Sequence, residues 1–413
     1  MTQSDAINAA RPLPAPREDF PVLTQRVGKY PLAYLDSAAS SQKPRAVIDG
    51  LAEFYRNDNA NIHRAVYQLG ERSTARYEGA REQVRSFLNA RETREVIFVR
   101  GATEAINLVA SGLTQRLQPG DELLITALEH HANIVPWQLA CERSGATLKV
   151  VPLTERCDLD LEAARELISN RTKLFAFSQL SNALGVVNPV RELMALAQEH
   201  GALTLIDGAQ AAAHSPVDVQ ELGCDFYVFS GHKLYGPTGV GVLYGRAEVL
   251  ETLPPYQAGG DMIDQVSFER STFADLPARL EAGTPHIAGA IGLGIALEYL
   301  QSFGLAQVEA YEQQLVEQLE QGLRAIEGLR VMGSPQRRAS AVSFVIEGVH
   351  PQDAAMLLDQ YGVAVRVGHH CAQPLMGLLG VEGTIRASVG IYTSREDIEQ
   401  LLSALPKAIR MLR

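Results

Sequence analysis

The sequence predicts an α/β protein, with a large domain on a mostly parallel sheet and a smaller α+β domain at the C-terminal end. Three observations carry this. From about residue 46 onward, short β-rich apolar runs alternate with longer helix-period segments, the pattern of strand–helix–strand crossovers. After the glycine-rich stretch Gly283–Gly294 the pattern changes to a long helix followed by mixed short elements. Finally, 413 residues that are 46% hydrophobic and 21% charged form an ordinary globular composition, long enough for two or three domains at roughly 100–200 residues each. The expected division is an arm over 1–34, a large domain over 35–294 and a small domain over 295–413.

The strands are read from Glu95–Val99, Glu122–Thr126, Thr147–Val151, Leu174–Ser178, Leu203–Ile206 and Phe226–Phe229, most of them apolar enough to be covered on both faces. Between them Thr103–Gly112, Leu161–Ile168 and Pro189–His200 repeat Leu and Ala at three and four, as crossover helices do. Beyond Leu305–Ile326, a long helix, Ser340–Ile346 and Val363–Val367 read as strands. Pro351–Tyr361 reads as a helix with proline in its first turn, and Ser394–Asp397 as a capping box. Residues 1–20, with three prolines and no apolar core, read as a loose arm that is neither a signal peptide nor a membrane anchor. The longest apolar run, Ala288–Leu297, is about half of what a bilayer crossing needs.

A net charge of −11 has the wrong sign for a nucleic-acid binder. The four cysteines, Cys141, Cys157, Cys224 and Cys371, form no CxxC pair, and reduced thiols of a cytoplasmic protein are expected. Three lie in apolar settings and read as core residues, whereas Cys371 sits in a loop with Gly368, His369 and His370 and is the candidate nucleophile.

Ligands of open α/β sheets collect beyond the carboxyl ends of the strands. Four groups fall there. Arg100–Glu104 opens a helix and offers backbone N–H groups and the Thr103 hydroxyl to an anion, although taken alone a simple helix start is the commoner explanation. Glu129–Asn133 offers an imidazole, His130, that is either a stacking group or else a buried structural histidine or metal ligand, though no HExxH spacing exists. Asp207 and Lys233 follow successive strands and so share one rim; alone, each reads as a cap or a surface lysine. Together, a Schiff-base lysine and a carboxylate for a protonated ring nitrogen are what pyridoxal phosphate chemistry requires.

Combined, Leu35–Ser40, Glu129–Trp137, Asp207–Gln210, Ser230–Gly239, Glu281–Pro285, Arg366–Cys371 and Arg386–Ser388 resemble the group II, SufS-type cysteine desulfurases, within the aspartate aminotransferase-like fold type I pyridoxal phosphate enzymes. The likeness extends from Phe20 to the C-terminus. It implies that Lys233 holds pyridoxal 5'-phosphate, Asp207 pairs with its ring nitrogen, Gln210 meets its ring hydroxyl and His130 stacks on it and shuttles protons, so that Lys233, Cys371 and His130 are the expected catalytic residues. It assigns the phosphate to Thr103, Ser230 and His232, with Thr284 reaching across from a second subunit of a homodimer. Asn182 and Arg386 are implied to hold the carboxylate of L-cysteine, and Cys371 to take its sulfur as a persulfide, releasing L-alanine. The implied destination is iron–sulfur cluster assembly through an acceptor of the SufE or SufU type, with selenocysteine lyase activity, or a non-enzymatic sulfur or cluster scaffold at His369, His370 and Cys371, as alternatives. The chain departs from the family pattern at Ala102, Gln179, His286 and Thr393.

Overall fold

The computed structural model describes residues 11–413. Seven strands form the large sheet: β1 (Val96–Val99), β2 (Glu122–Thr126), β3 (Thr147–Val151), β4 (Thr172–Ser178), β5 (Leu203–Asp207), β6 (Phe226–Ser230) and β7 (Gly241–Gly245). Their spatial order is β1-β7-β6-β5-β4-β2-β3. Strands β2 to β6 pair in parallel, while β7 runs antiparallel to both β1 and β6. Alternate residues face opposite layers, as a pleated strand requires. Ile97 and Val99 join one core cluster, and Val96 and Phe98 the other. The reversed strand was not among the expected six. Its end glycines weaken its strand signature yet are needed, because a Cβ on Gly241 would come within 2.5 Å of the Gly101 backbone.

The helices are α1 (Arg45–Asn57), α2 (Gln68–Leu88), α3 (Ala102–Thr114), α4 (Val135–Ser144), α5 (Leu161–Leu167), α6 (Val190–Glu199), α7 (Ile287–Gln301), α8 (Leu305–Arg324), α9 (Pro351–Gln360), α10 (Gln373–Leu378) and α11 (Arg395–Leu412). Most of the glycine-rich stretch falls in α7, which is buried on nearly every side; its Gly294 lets Ala80 of α2 approach, where a Cβ would stand 3.1 Å away. Among the described residues no single helix is long and apolar enough to cross a membrane. The Ser394 capping box opens α11 as expected, with Ser394 Oγ accepting from the Asp397 amide and the Asp397 carboxylate from that of Ser394.

A second sheet joins β8 (Leu329–Val331), β9 (Ala341–Ile346), β10 (Arg366–Gly368) and β11 (Thr384–Ser388) in the order β8-β9-β11-β10. Its core packs Val342, Phe344 and Ile385 against Leu315 and Leu319 of α8 and Leu401 of α11. Two expectations change here. The single strand Val363–Val367 divides: Val363–Ala364 pairs with Ala33–Tyr34, whereas β10 pairs with β11, so the chain switches sheets just before the Cys371 loop. The first ten residues of the expected loose arm lie outside the described residues, but those after them are docked. Ala15 and Phe20 are buried, Phe20 against the Tyr235, Tyr299 and Tyr392 rings, and Arg17 binds Asp397 and the Leu23 and Leu32 carbonyls. Proline-rich sequence concealed an aromatic anchor worth more than its length implies.

Candidate active site

A cleft of about 530 Å³ lies at the carboxyl ends of β1, β2, β4, β5 and β6, closed on the far side by β10, β11 and the loop between β10 and α10. It is lined by Thr103, His130, Asn182, Asp207, Gln210, Ser230, His232, Lys233, Cys371 and Arg386, so all but one of the expected site residues converge there. The exception is Thr284. It lies exposed in a separate cleft of about 390 Å³ with Tyr77, Glu281 and His286.

Parallel packing explains the convergence, because consecutive crossovers return each strand's carboxyl end to the same rim. Asp207, the last residue of β5, accepts from the Ala209 amide (2.9 Å). Burial raises its carboxyl above the usual range, opposed by the Lys233 charge, and burial lowers the Lys233 amine, opposed by Asp207. Each charge is thus costly without the other. The Gln210 amide nitrogen donates to the Ala38 carbonyl (2.8 Å), which fixes the side chain's orientation. Ser230 Oγ accepts from the Ala102 amide (2.9 Å) at the start of α3. With no side-chain cap on α3, the next amides, beside the Thr103 hydroxyl, are open to an anion.

The turn after β2 acts as a rigid tripod. Glu129 is buried and accepts from Asn133 Nδ2 (2.7 Å), the Ser178 amide (3.0 Å) and Thr126 Oγ1, and burial lifts its carboxyl to about 7. Trp137 Nε1 completes the network by donating to Asn133 Oδ1 (2.8 Å). His130 accepts from the Ala132 amide at Nδ1 (3.0 Å), so its proton is on Nε2. Burial, with the Lys233, His131 and Arg386 charges, pushes its pKa down to about 3 and keeps the ring neutral.

Opposite, Arg386 is buried and spans two elements, donating to the Asn182 carbonyl (2.8 Å) and to Asp36 (3.2 Å). Asp36 is also held by Arg366 through three contacts of 2.9–3.0 Å. Arg386 Nε is buried with no partner. A guanidinium with an unused donor at the wall of a cleft is an acceptor-seeking group. Asp36 as the hinge between two arginines was not anticipated; its only sequence signal was membership of the Leu35–Ser40 motif.

Of the four free thiols, Cys371 alone is exposed. It and His370 both adopt left-handed backbone, with φ of 54° and 52°, a conformation that costs a non-glycine residue about 1–3 kcal/mol unless neighbours impose it. Neighbours do: Asn182 Nδ2 donates to the His370 carbonyl (2.6 Å), His370 Nε2 meets Thr384 Oγ1 (2.8 Å), and Ala372, Leu375 and Met376 sink into the large core. The four departures differ in place: Ala102 lines the cleft with its amide on Ser230 Oγ, and His286 shares the separate cleft with Thr284, whereas the other two stand apart. Gln179 is turned from the cleft and accepts from Tyr227 OH (2.7 Å), and Thr393 Oγ1 accepts from the Gly390 amide (3.0 Å).

A lysine and an aspartate on one strand rim, an uncapped helix start and a neutral imidazole define a fold type I pyridoxal phosphate enzyme; the donor set fits that group. Residues 33–401 match the aminotransferase class-V family. The chain is 51% identical to a cysteine desulfurase of Synechococcus elongatus over 94% of its length, spanning 62% of that longer protein. It is 51% identical to a probable cysteine desulfurase of Halalkalibacterium halodurans, with 94% and 96% of the two chains covered. The structure of the cysteine desulfurase CsdA from Escherichia coli superposes with a TM-score of 0.90 at 42% identity, covering 96% of this chain and 98% of that one. The chain belongs to the cysteine desulfurase family within the class-V aminotransferases, whose cofactor is pyridoxal phosphate.

Proposed function

We propose that this protein converts L-cysteine to L-alanine and carries the released sulfur as a persulfide on Cys371. The observation that supports this best is the exposed Cys371 thiol, on a tethered loop, facing the cleft that also holds Lys233, Asp207 and Arg386. Bound pyridoxal phosphate supplies an electron sink for the substrate carbon. Lys233 is its attachment point and proton carrier, Asp207 holds its ring nitrogen, Gln210 meets the ring hydroxyl and His130 covers its face. Thr103, Ser230 and His232 hold the phosphate, joined by Thr284 from a second copy of the chain. Asn182 and the unused Nε of Arg386 receive the substrate carboxylate.

The transfer balances without an external oxidant. The Cys371 thiolate attacks the substrate sulfur, an S–S bond forms as the C–S bond breaks, and the electron pair stays with the carbon, which takes up one proton delivered by Lys233 to become the alanine methyl group. Residues 35–294 hold the cofactor and residues 295–413 bring Cys371 to it, with the described part of the 1–34 arm, residues 11–34, bracing the smaller part. We further propose a cytoplasmic homodimer that passes sulfur to a SufE- or SufU-type acceptor for iron–sulfur assembly; the four unpaired thiols are in keeping with that compartment.

Incubation of the holoenzyme with L-cysteine tests the reading. Alanine should appear together with a persulfide that mass spectrometry maps to Cys371, and a protein that forms neither refutes it. Faster turnover of L-selenocysteine, with no persulfide, would shift the assignment to selenocysteine lyase. A protein without borohydride-reducible yellow colour at Lys233 would leave only the scaffold reading.

A further inference from the structure

We propose that His131 is the positioning residue that holds Cys371 at the reacting distance, a role that rests on the desulfurase reading. Two hydrogen bonds from this one residue bracket the thiol. The His131 amide donates to the Cys371 carbonyl (2.7 Å), and the Gln373 amide donates to His131 Nε2 (2.9 Å). The first fixes the peptide leaving Cys371; the second fixes the first residue of α10, two positions on. With Asn182 on the His370 carbonyl, every peptide flanking the thiol is tied to the large domain.

The placement matters because of what lies on either side of His131. His130, next to it in the chain, faces the cleft, and Glu129, one residue earlier, anchors the turn in the core through Asn133 and Ser178. A single rigid turn therefore sets both the ring that covers the cofactor and the carbonyl beside the nucleophile. Their separation is set by these two bonds between the two parts of the chain. His370 and Cys371 hold left-handed backbone that a released loop would abandon, so loss of the clamp moves the sulfur as well as loosening it. Misplacing a reacting atom by about 1 Å costs on the order of 100-fold in rate.

The clamp requires an unprotonated acceptor at the Nε2 position, with the ring proton on Nδ1. A glutamine presents its amide oxygen the same number of bonds from Cβ. The experiment therefore compares His131→Ala and His131→Gln holoenzymes with the parent. In His131→Ala the cofactor absorbance should persist, single-turnover alanine formation should fall about 10- to 100-fold with little change in KM, and iodoacetamide should alkylate Cys371 at a clearly different rate. Amide exchange across residues 370–373 should also accelerate. His131→Gln should recover most of each loss.

Alanine formation and Cys371 alkylation both within about twofold of the parent in His131→Ala would overturn the proposal. So would a His131→Gln protein as impaired as His131→Ala, or loss of cofactor absorbance in His131→Ala, which would mark a general structural role. Should the parent enzyme itself make no alanine, the desulfurase reading fails, while alkylation and exchange still decide whether His131 clamps the loop.

Discussion

Arg386→Lys tests the proposed substrate-carboxylate contact. The guanidinium has two committed nitrogens, on the Asn182 carbonyl and Asp36, and one buried nitrogen without a partner. A lysine keeps the charge but cannot serve those acceptors and an incoming carboxylate together. Its folding penalty is limited because Asp36 retains the Arg366 fork at 2.9–3.0 Å. Losing a hydrogen bond to a charged group removes about 1.5–3 kcal/mol, which is a fall of about 10- to 150-fold in kcat/KM for L-cysteine. Most of that should appear in KM, since the carboxylate is held equally before and during C–S cleavage. Initial rates of alanine formation measure it, with consumption of cysteamine, which lacks the carboxylate, as the internal control. An unchanged kcat/KM for L-cysteine, or an equal fall for cysteamine, would refute the assignment of Arg386.

Replacing Cys371 with serine should abolish persulfide and alanine formation while leaving the cofactor spectrum intact, as followed by absorbance and mass spectrometry. Glu281→Gln should destabilise the fold by about 1.5–3 kcal/mol, read by denaturant titration, because it takes the charge from the group that grips the buried Arg81 fork (2.6 and 2.9 Å) and leaves Glu78 (3.0 Å) as the remaining counter-charge. The same change leaves one oxygen for the Arg81, Tyr77 and Phe98 donors that now share two, so the adjoining Thr284 segment should loosen as well. Burial holds both His130 and His370 at about 3, below the unfolded value near 6.5, so the unfolded chain binds more protons. Stability should therefore fall as pH drops from about 6.5 toward 3, and His370→Asn should flatten part of that slope in melting curves of the holoenzyme.

Much of the site was legible before any coordinates, for a geometric reason. In a parallel sheet the residue after each strand lies on a common rim, so strand ends at Thr126, Asp207 and Ser230 were enough to bring His130, Asp207 and Lys233 together. The burial of Cys141, Cys157 and Cys224 followed from their apolar neighbours, and the exposure of Cys371 from its polar loop. Proline-rich sequence before Phe20 misled, because its anchoring contacts lie with Tyr235, Tyr299 and Tyr392, hundreds of residues away. Val363–Val367 misled for the opposite reason. A continuous β-rich run carries no mark of the point where its hydrogen-bond partner changes from Ala33–Tyr34 to β11.

By itself, then, the sequence determined the α/β class, the strand-end rim and the chemical identity of the groups upon it. These follow from local periodicity and from residue type. Only the tertiary structure decided the strand order with its one reversed member, Asp36 as the bridge between Arg366 and Arg386, and the two-point hold of His131 on the Cys371 loop. Each of these joins segments far apart in the chain. Such contacts have no period in the sequence, because their partners are selected by the packing of the two domains rather than by neighbours along the backbone.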